Sequence, residues 1–226
     1  RSRKIGFDRS PNFIHDFCLA GDFLVFFTFP ITIDILPVLL RKKSIFEVME
    51  FDQKSYCEIN IISKKTLEKV GSIKTDPFFF FHFSNGYQNN ENGNLIFDLV
   101  EYKNFDIFKN YTSDVLKKDL ATEKKKDRVN FSRFEVDIKN MKLISKKSLL
   151  EGFNEFPIVQ MKDVGKKYEK VFLNLSDEDD SYMRNIARMD LKNEKIIKRK
   201  FDENVFPGEV IHIPNEDGNC DNSGWV

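Results

Sequence analysis

Short apolar stretches alternate with polar turns along most of the chain, and this pattern predicts a fold made mainly of strands. Each stretch is rich in Phe, Ile, Leu or Val and is bounded by Asn, Asp, Gly or Pro. Most of the stretches start roughly 10 to 20 residues apart, a spacing typical of sandwiches, barrels and propellers. The predicted strands span residues 13–17, 23–29, 44–51, 57–62, 78–83, 95–100, 129–138, 170–175, 183–190, 195–199 and 210–213.

Two segments carry a different pattern, which favours short helices. Residues 31–40 are apolar and follow Pro30, and residues 106–118 have apolar side chains spaced by three and four. Residues 188–198 instead indicate a hairpin with a polar turn at 192–194, and residues 60–70 have the same character. The pattern therefore predicts an all-β protein with short helical insertions.

The balance of charge argues against a nucleic-acid-binding protein. The chain has 36 Lys and Arg against 36 Asp and Glu, whereas phosphate contacts need a basic excess. Its three cysteines lie far apart with no CxxC pair, which favours a reducing compartment and a cytoplasmic location. The sequence shows no signal peptide and no apolar run as long as a membrane helix requires.

The candidate chemistry rests on histidine, because the chain has no nucleophile elbow, no GxGxxG motif and no phosphate loop. His15 shares an apolar face of one predicted strand with Phe17, and His82 shares a face of another with Phe80. A buried imidazole needs a partner. Each of these histidines is therefore either a core residue with a hydrogen bond or one ligand of a shared iron, zinc or copper ion.

Short motifs along nearly the whole chain resemble those of the carotenoid cleavage oxygenase family, in the family's order. The family includes the animal β-carotene oxygenases and the retinoid isomerase of the retinal pigment epithelium. The first matching segment is IHDF at 14–17, which precedes an apolar strand and Pro30. The other matching segments are FHFSNGYQ at 81–88, NLIFDLV at 94–100, EFP at 155–157, GKKYEKVF at 165–172, PGEVIHIP at 207–214 and DNSGWV at 221–226.

This resemblance implies the site and the fold. Members of the family are seven-bladed β-propellers that hold a non-haem Fe(2+) ion on the propeller axis with four histidines, and glutamates hydrogen-bonded to these histidines orient them. His15 matches the second ligand and His82 the third, Glu155 matches the carboxylate that orients His82, and Glu209 matches the one that orients the fourth ligand. His212 falls where the family has an aromatic or apolar residue, so the resemblance gives it a structural or exposed role.

The ends of the chain suggest that part of the propeller is missing. The sequence begins with Arg rather than Met and stops in a segment that reads as the start of a strand. A processed or isoform terminus is the alternative explanation. We expect residues 1–226 to form one domain, a partial propeller of middle blades that is incomplete at both ends. The first and fourth ligands would lie before and after it, so the chain alone is predicted neither to retain iron nor to cleave carotenoids.

The activity that the resemblance implies is oxidative cleavage of a carotenoid or apocarotenoid double bond by O₂, giving aldehyde products. Two alternatives stay open, a retinoid isomerohydrolase of the same fold and a non-catalytic propeller or fragment that binds lipid or protein. The sequence departs from the family's motifs at Phe83, Gln88 and Val210. These departures affect the choice of substrate more than the binding of the metal. The apolar substrate predicts a peripheral membrane contact, for which residues 31–40 are a candidate, although these residues suit a buried helix between blades equally well.

Overall fold

A computed structural model describes residues 4–7, 13–105, 107, 129–177, 182–214 and 224–225. The predicted helix at 106–118 lies outside the described residues except for Ile107, and so do Cys220 and most of the motif at 221–226. None of the helices in the described ranges is long and apolar enough to cross a membrane.

Three four-stranded antiparallel sheets form the body of the described structure. The first contains β1 (Cys18–Ala20), β2 (Phe23–Thr28), β5 (Cys57–Ser63) and β6 (Lys69–Thr75). An insertion between β2 and β5 contains β3 (Ile31–Ile33), helix α1 (Ile35–Leu39), a 3-10 helix (Phe46–Val48) and β4 (Met49–Phe51). The second contains β7 (Phe79–Gln88), β8 (Leu95–Tyr102), β9 (Val129–Asp137) and β10 (Lys142–Glu151). The third contains β11 (Asn154–Ile158), β12 (Lys170–Leu175), β13 (Asn185–Asp190) and β14 (Lys195–Lys200).

Within each sheet the strands are adjacent in chain order, apart from the short insertion in the first. Such repeated up-and-down sheets are the blades of a β-propeller. A 3-10 helix (Met161–Asp163) lies between β11 and β12, and β15 (Ile213–Pro214) pairs with β16 (Gly224–Trp225). The all-β prediction with short helical insertions is therefore confirmed.

Phenylalanine rings fill the space between the first two sheets. The fully buried Phe27 of β2 lies with its ring centroid 5.1 Å from Phe80 of β7 and 6.1 Å from both Phe97 of β8 and Phe134 of β9. Phe97 and Phe134 stack face to face at 5.4 Å. Because large aromatic side chains bury much apolar area and pair favourably through their edges, the abundance of Phe has a direct role in joining these sheets.

Several predicted strands were wrong. Residues 13–17 have no regular structure, because the Asp16 carboxylate accepts the N–H of Phe17, which a strand would present to its neighbour. Residues 44–48 are a loop and a 3-10 helix before β4, and of residues 210–213 only Ile213 belongs to a strand. Residues 31–40 divide into β3 and α1, so the helix predicted there is shorter than expected.

The predicted strand ranges omit β1, β6, β10 and β11. β10 and β11 were missed for different reasons. β10 is the outer strand of its sheet and is largely exposed, so its sequence is polar and basic and lacks the apolar signal. Charged side chains on such an edge also discourage pairing with other chains. β11 contains Pro157, which usually argues against a strand. β11 is an end strand of its sheet, where the N–H that proline lacks is not needed for pairing.

A buried polar network joins the second and third sheets. Asp98 of β8 is fully buried and accepts hydrogen bonds from Nε and Nη2 of Arg133 on β9, both at 2.8 Å. The Tyr168 hydroxyl, from the segment before β12, donates to the same carboxylate. Asn85 of β7 also reaches this segment, since its amide oxygen accepts from the N–H of Gly165 at 2.8 Å. These contacts hold β7, the strand that carries His82, against the third sheet.

Candidate metal centre

His15 and His82 converge although they lie far apart in sequence. Their Nε2 atoms are 3.3 Å apart, and their ring planes are inclined by 78°. His82 belongs to β7, whereas His15 lies in the irregular segment before β1. Two nitrogens that are each about 2.1 Å from one ion lie about 3.0–3.4 Å apart when the angle at the ion is near 90–110°. The separation of the two rings therefore fits a single metal between them.

Glu155 fixes the orientation of the His82 ring. Its Oε2 lies 2.8 Å from Nδ1 of His82, and this carboxylate is almost completely buried at the start of the third sheet. Since an ionised carboxylate can only accept, the hydrogen bond assigns the proton to Nδ1 and leaves the Nε2 lone pair facing His15. This is the arrangement that metal-binding histidines usually show.

Both oxygens of Glu155 have further donors. The Tyr102 hydroxyl at the end of β8 donates to Oε1 at 2.6 Å, and the main-chain N–H of Phe156 donates to Oε2 at 2.8 Å. Phe156 has a φ of +55°, a conformation that is uncommon for residues with a side chain. This turn interrupts the pairing of β11 with β12 after Glu155. The carboxylate is thus held from three directions before any metal binds.

The surroundings act on the proton affinity of His82 in opposite directions. Burial lowers the pKa of His82, but the hydrogen bond and negative charge of Glu155 raise it, helped by the charges of Asp16 and Glu209. The net result is a pKa above the ordinary value for histidine. The same carboxylates that favour a proton on this ring also favour a metal cation beside it.

Aromatic rings surround the two imidazoles. Phe13 stacks on His15 with ring centroids 6.2 Å apart, and Phe81 meets His15 edge-on at 5.2 Å. On the other side the Phe156 ring lies 5.3 Å from His82. The pair therefore lies between apolar walls, although the side chain of His15 itself is exposed.

The other two candidate residues lie apart from the pair. Glu209 is exposed and acts on His82 through its charge, while His212 lies against the Phe172 ring and within 3.3 Å of the Gln160 amide. Burial lowers the pKa of His212. In the described ranges no group of three or more His, Cys, Asp or Glu side chains is arranged to hold a metal. His15 and His82 are thus the two candidate ligands that the described residues bring together.

Sequence reasoning missed the residues that support this site. Asp16 stands next to His15, yet nothing in its local pattern shows that it contacts β7. Tyr102 is 53 residues from Glu155, and a tyrosine at the end of an apolar strand gives no signal of a carboxylate partner. Both contacts depend on how the sheets are placed against each other.

The whole chain matches a known family. The family described as retinal pigment epithelial membrane protein matches residues 1–226. An apocarotenoid-15,15'-oxygenase of Synechocystis sp. is 25% identical over 222 residues, which is 95% of this chain and 42% of that protein. A β,β-carotene 15,15'-dioxygenase of Mus musculus is 31% identical over 114 residues, which is 49% of this chain and 20% of that protein. The chain thus spans less than half the length of these curated relatives.

Solved structures show the same fold. The crystal structure of a cobalt-substituted Synechocystis apocarotenoid oxygenase matches with a TM-score of 0.81 at 24% identity, covering 94% of this chain and 43% of that one. Together with the three sheets, which do not close into a ring within the described residues, this likeness confirms the prediction of a partial propeller.

Proposed function

We propose that this chain, which belongs to the retinal pigment epithelial membrane protein family, carries half of the metal centre of a non-haem iron oxygenase. The substrate class is a carotenoid or apocarotenoid polyene, which reacts with O₂ at one double bond to give aldehydes. The observation that carries the proposal is the convergence of His15 and His82 at 3.3 Å, with Glu155 behind His82. The names of the relatives, which are carotenoid and apocarotenoid oxygenases, support the substrate class.

The residues fit an Fe(2+) ion in their chemistry. His15 and His82 would hold it through Nε2, since neutral imidazole suits iron, and Glu155 would orient His82. Glu209 is proposed to orient a further ligand. When bound, the iron supplies the activation of O₂. The Phe13, Phe81 and Phe156 rings flank the pair and offer an apolar surface to a polyene.

Cobalt titration of the purified chain tests the metal site. We expect weak Co²⁺ binding that His15→Ala and His82→Ala each remove, because each variant leaves a single imidazole. His212→Ala is the matched control and should bind as the unchanged chain does, since its ring faces Gln160 and Phe172. Equal binding by all four proteins would contradict the proposed site.

Metal content and product analysis test the prediction that the chain is incomplete as an enzyme. Two imidazoles hold iron weakly, so we expect less than stoichiometric iron after purification and no aldehyde from a carotenoid. A retinyl ester, assayed in parallel, tests the isomerohydrolase alternative. Stoichiometric iron in the purified chain would show that its own residues complete the site, contrary to this prediction.

The apolar surface around α1 is proposed to contact a membrane, where such substrates dissolve, in a cytoplasmic protein that associates peripherally. Leu36, Leu39 and Phe46 are at least half exposed, and Arg41, Lys42 and Lys43 follow α1. Leu39→Asp should weaken binding to anionic vesicles by about 10- to 100-fold, because full burial of a leucine contributes about 1.5–3 kcal/mol. Ile144→Asp, an exposed site on β10, is the control, and equal loss in both variants would contradict a local contact.

A further inference from the structure

His15 requires something other than a strand to hold its ring beside His82. Residues 13–17 have no regular secondary structure, and the His15 side chain is exposed. The two histidines are 67 positions apart, so chain connectivity does not fix their distance. Phe13 and Phe81 pack on the His15 ring, and Phe13 also lies 5.5 Å from Phe79 of β7, so apolar packing places the segment beside β7 without a directional link to it.

Asp16 provides a direct link between the two histidine-bearing segments. Its Oδ2 accepts a hydrogen bond from the main-chain N–H of Phe83 at 2.9 Å, and its Oδ1 accepts one from the N–H of Phe17 at 2.7 Å. Asp16 immediately follows His15, and Phe83 immediately follows His82. One side chain therefore joins the neighbour of one histidine to the neighbour of the other.

The geometry of β7 makes the Phe83 N–H available for this contact. β7 is the end strand of its sheet, so its N–H groups that point away from β8 have no acceptor in the ladder. The pairing of β7 with β8 is also irregular on both sides of Phe83, between Phe80 and Phe83 and between Phe83 and Asn85. Such bulges redirect side chains and are common beside active sites.

We propose that Asp16 is a positioning residue that sets the distance between His15 and His82 by clamping the His15 segment to the bulge of β7. The consequence for metal binding rests on the proposed function, whereas the effect on the distance does not. A carboxylate suits this role because both of its oxygens accept, and hydrogen bonds to a charged acceptor are stronger than neutral ones. Asn can keep only one of the two contacts, since its amide nitrogen donates.

The primary test needs no metal. In the metal-free chain, the nuclear Overhauser effect (NOE) between the ring protons of His15 and His82 reports their proximity, and hydrogen exchange of the Phe83 amide reports the clamp. Asp16→Ala should lose the NOE and speed Phe83 exchange by about tenfold or more. Asp16→Asn, which disturbs the fold less, should weaken both signals in part. Asp52→Ala is the matched control, because Asp52 caps the N–H of Lys54 at 2.9 Å on an exposed turn, and it should change neither signal.

The proton position on the His82 ring separates positioning from general damage. Asp16→Ala should weaken Co²⁺ binding but leave the proton of His82 on Nδ1, because Glu155 and not Asp16 holds that atom. Loss of both cobalt binding and the Nδ1 proton would instead indicate a merely structural role and overturn the proposal.

The remaining outcomes also decide the question. An unchanged NOE in Asp16→Ala would overturn the proposal, as would the absence of the NOE from the unchanged chain. If Asp16→Ala loses the NOE but cobalt binding does not depend on His15, then the clamp stands and the proposed metal site fails. The two proposals can therefore fail separately.

Discussion

Replacement of Arg133 by Met should lower the free energy of unfolding by about 3–5 kcal/mol, the usual cost of removing one partner of a buried ion pair. Asp98 has no exposed surface, and Arg133 holds both of its oxygens at 2.8 Å. Without the guanidinium, the buried carboxylate would keep, among the described residues, the hydroxyl of Tyr168 as its donor. Methionine fills a similar volume, so the loss would come from the unpaired charge rather than from a cavity.

The pKa shifts in this network agree in direction with a charged pair. Burial lowers the pKa of Arg133, but the hydrogen bonds and charge of Asp98 outweigh burial and raise it above its ordinary value. Burial also raises the pKa of Tyr168 well above the ordinary value, and the charge of Asp98 adds to this effect. Tyr168 therefore remains a neutral donor to the Asp98 carboxylate.

Two further variants make the Arg133 prediction specific. Lys147→Met breaks an exposed ion pair with Glu194, in which both side chains are more than 60% exposed, and should cost no more than about 1 kcal/mol. Adding Asp98→Asn to Arg133→Met removes the uncompensated charge and should recover part of the loss. Urea unfolding of each variant measures these differences, and similar midpoints for Arg133→Met and Lys147→Met would contradict a buried, paired Asp98.

The fold could be predicted from the sequence where strands are buried and apolar. β12 has the predicted bounds, and β5, β8 and β9 differ from theirs by two residues at most. The turn between β13 and β14 also lies where the polar residues indicated it. These strands lie inside their sheets, so burial imposes the apolar pattern on which such predictions depend.

The prediction failed where the structure is set by contacts between distant segments. The segment around His15 has the alternation of a strand, yet Asp16 takes the N–H groups of Phe17 and Phe83 and holds it as a loop. At the site, motif resemblance could pair Glu155 with His82, since both residues stand in recognisable motifs. It could not reveal Asp16 or Tyr102 as supports, because their roles follow from the packing of one blade against the next.

Removal of the Glu155 carboxylate should weaken metal binding by about 10- to 100-fold, the usual effect of losing the partner of a ligand histidine. In Glu155→Ala, Nδ1 of His82 and the Tyr102 hydroxyl both lose their acceptor. The His82 ring is then free to rotate or to carry its proton on Nε2, the atom that faces His15. Glu155→Gln should have a smaller effect, because an amide oxygen can still accept one of these hydrogen bonds.

Nitrogen NMR of the His82 ring distinguishes this explanation from loss of folding. In the metal-free chain the proton should reside mainly on Nδ1, and Glu155→Ala should shift the population towards Nε2. Glu135→Gln is a suitable control, because Glu135 lies on β9 and accepts a hydrogen bond from the Asn94 amide at 2.7 Å. This variant should leave the proton position on the His82 ring unchanged. If cobalt affinity fell without any change in the proton position on His82, then Glu155 would act on the metal through its charge alone. The buried contacts with Tyr102 and Phe156 would in that case stabilise the turn after Glu155 rather than orient the ligand.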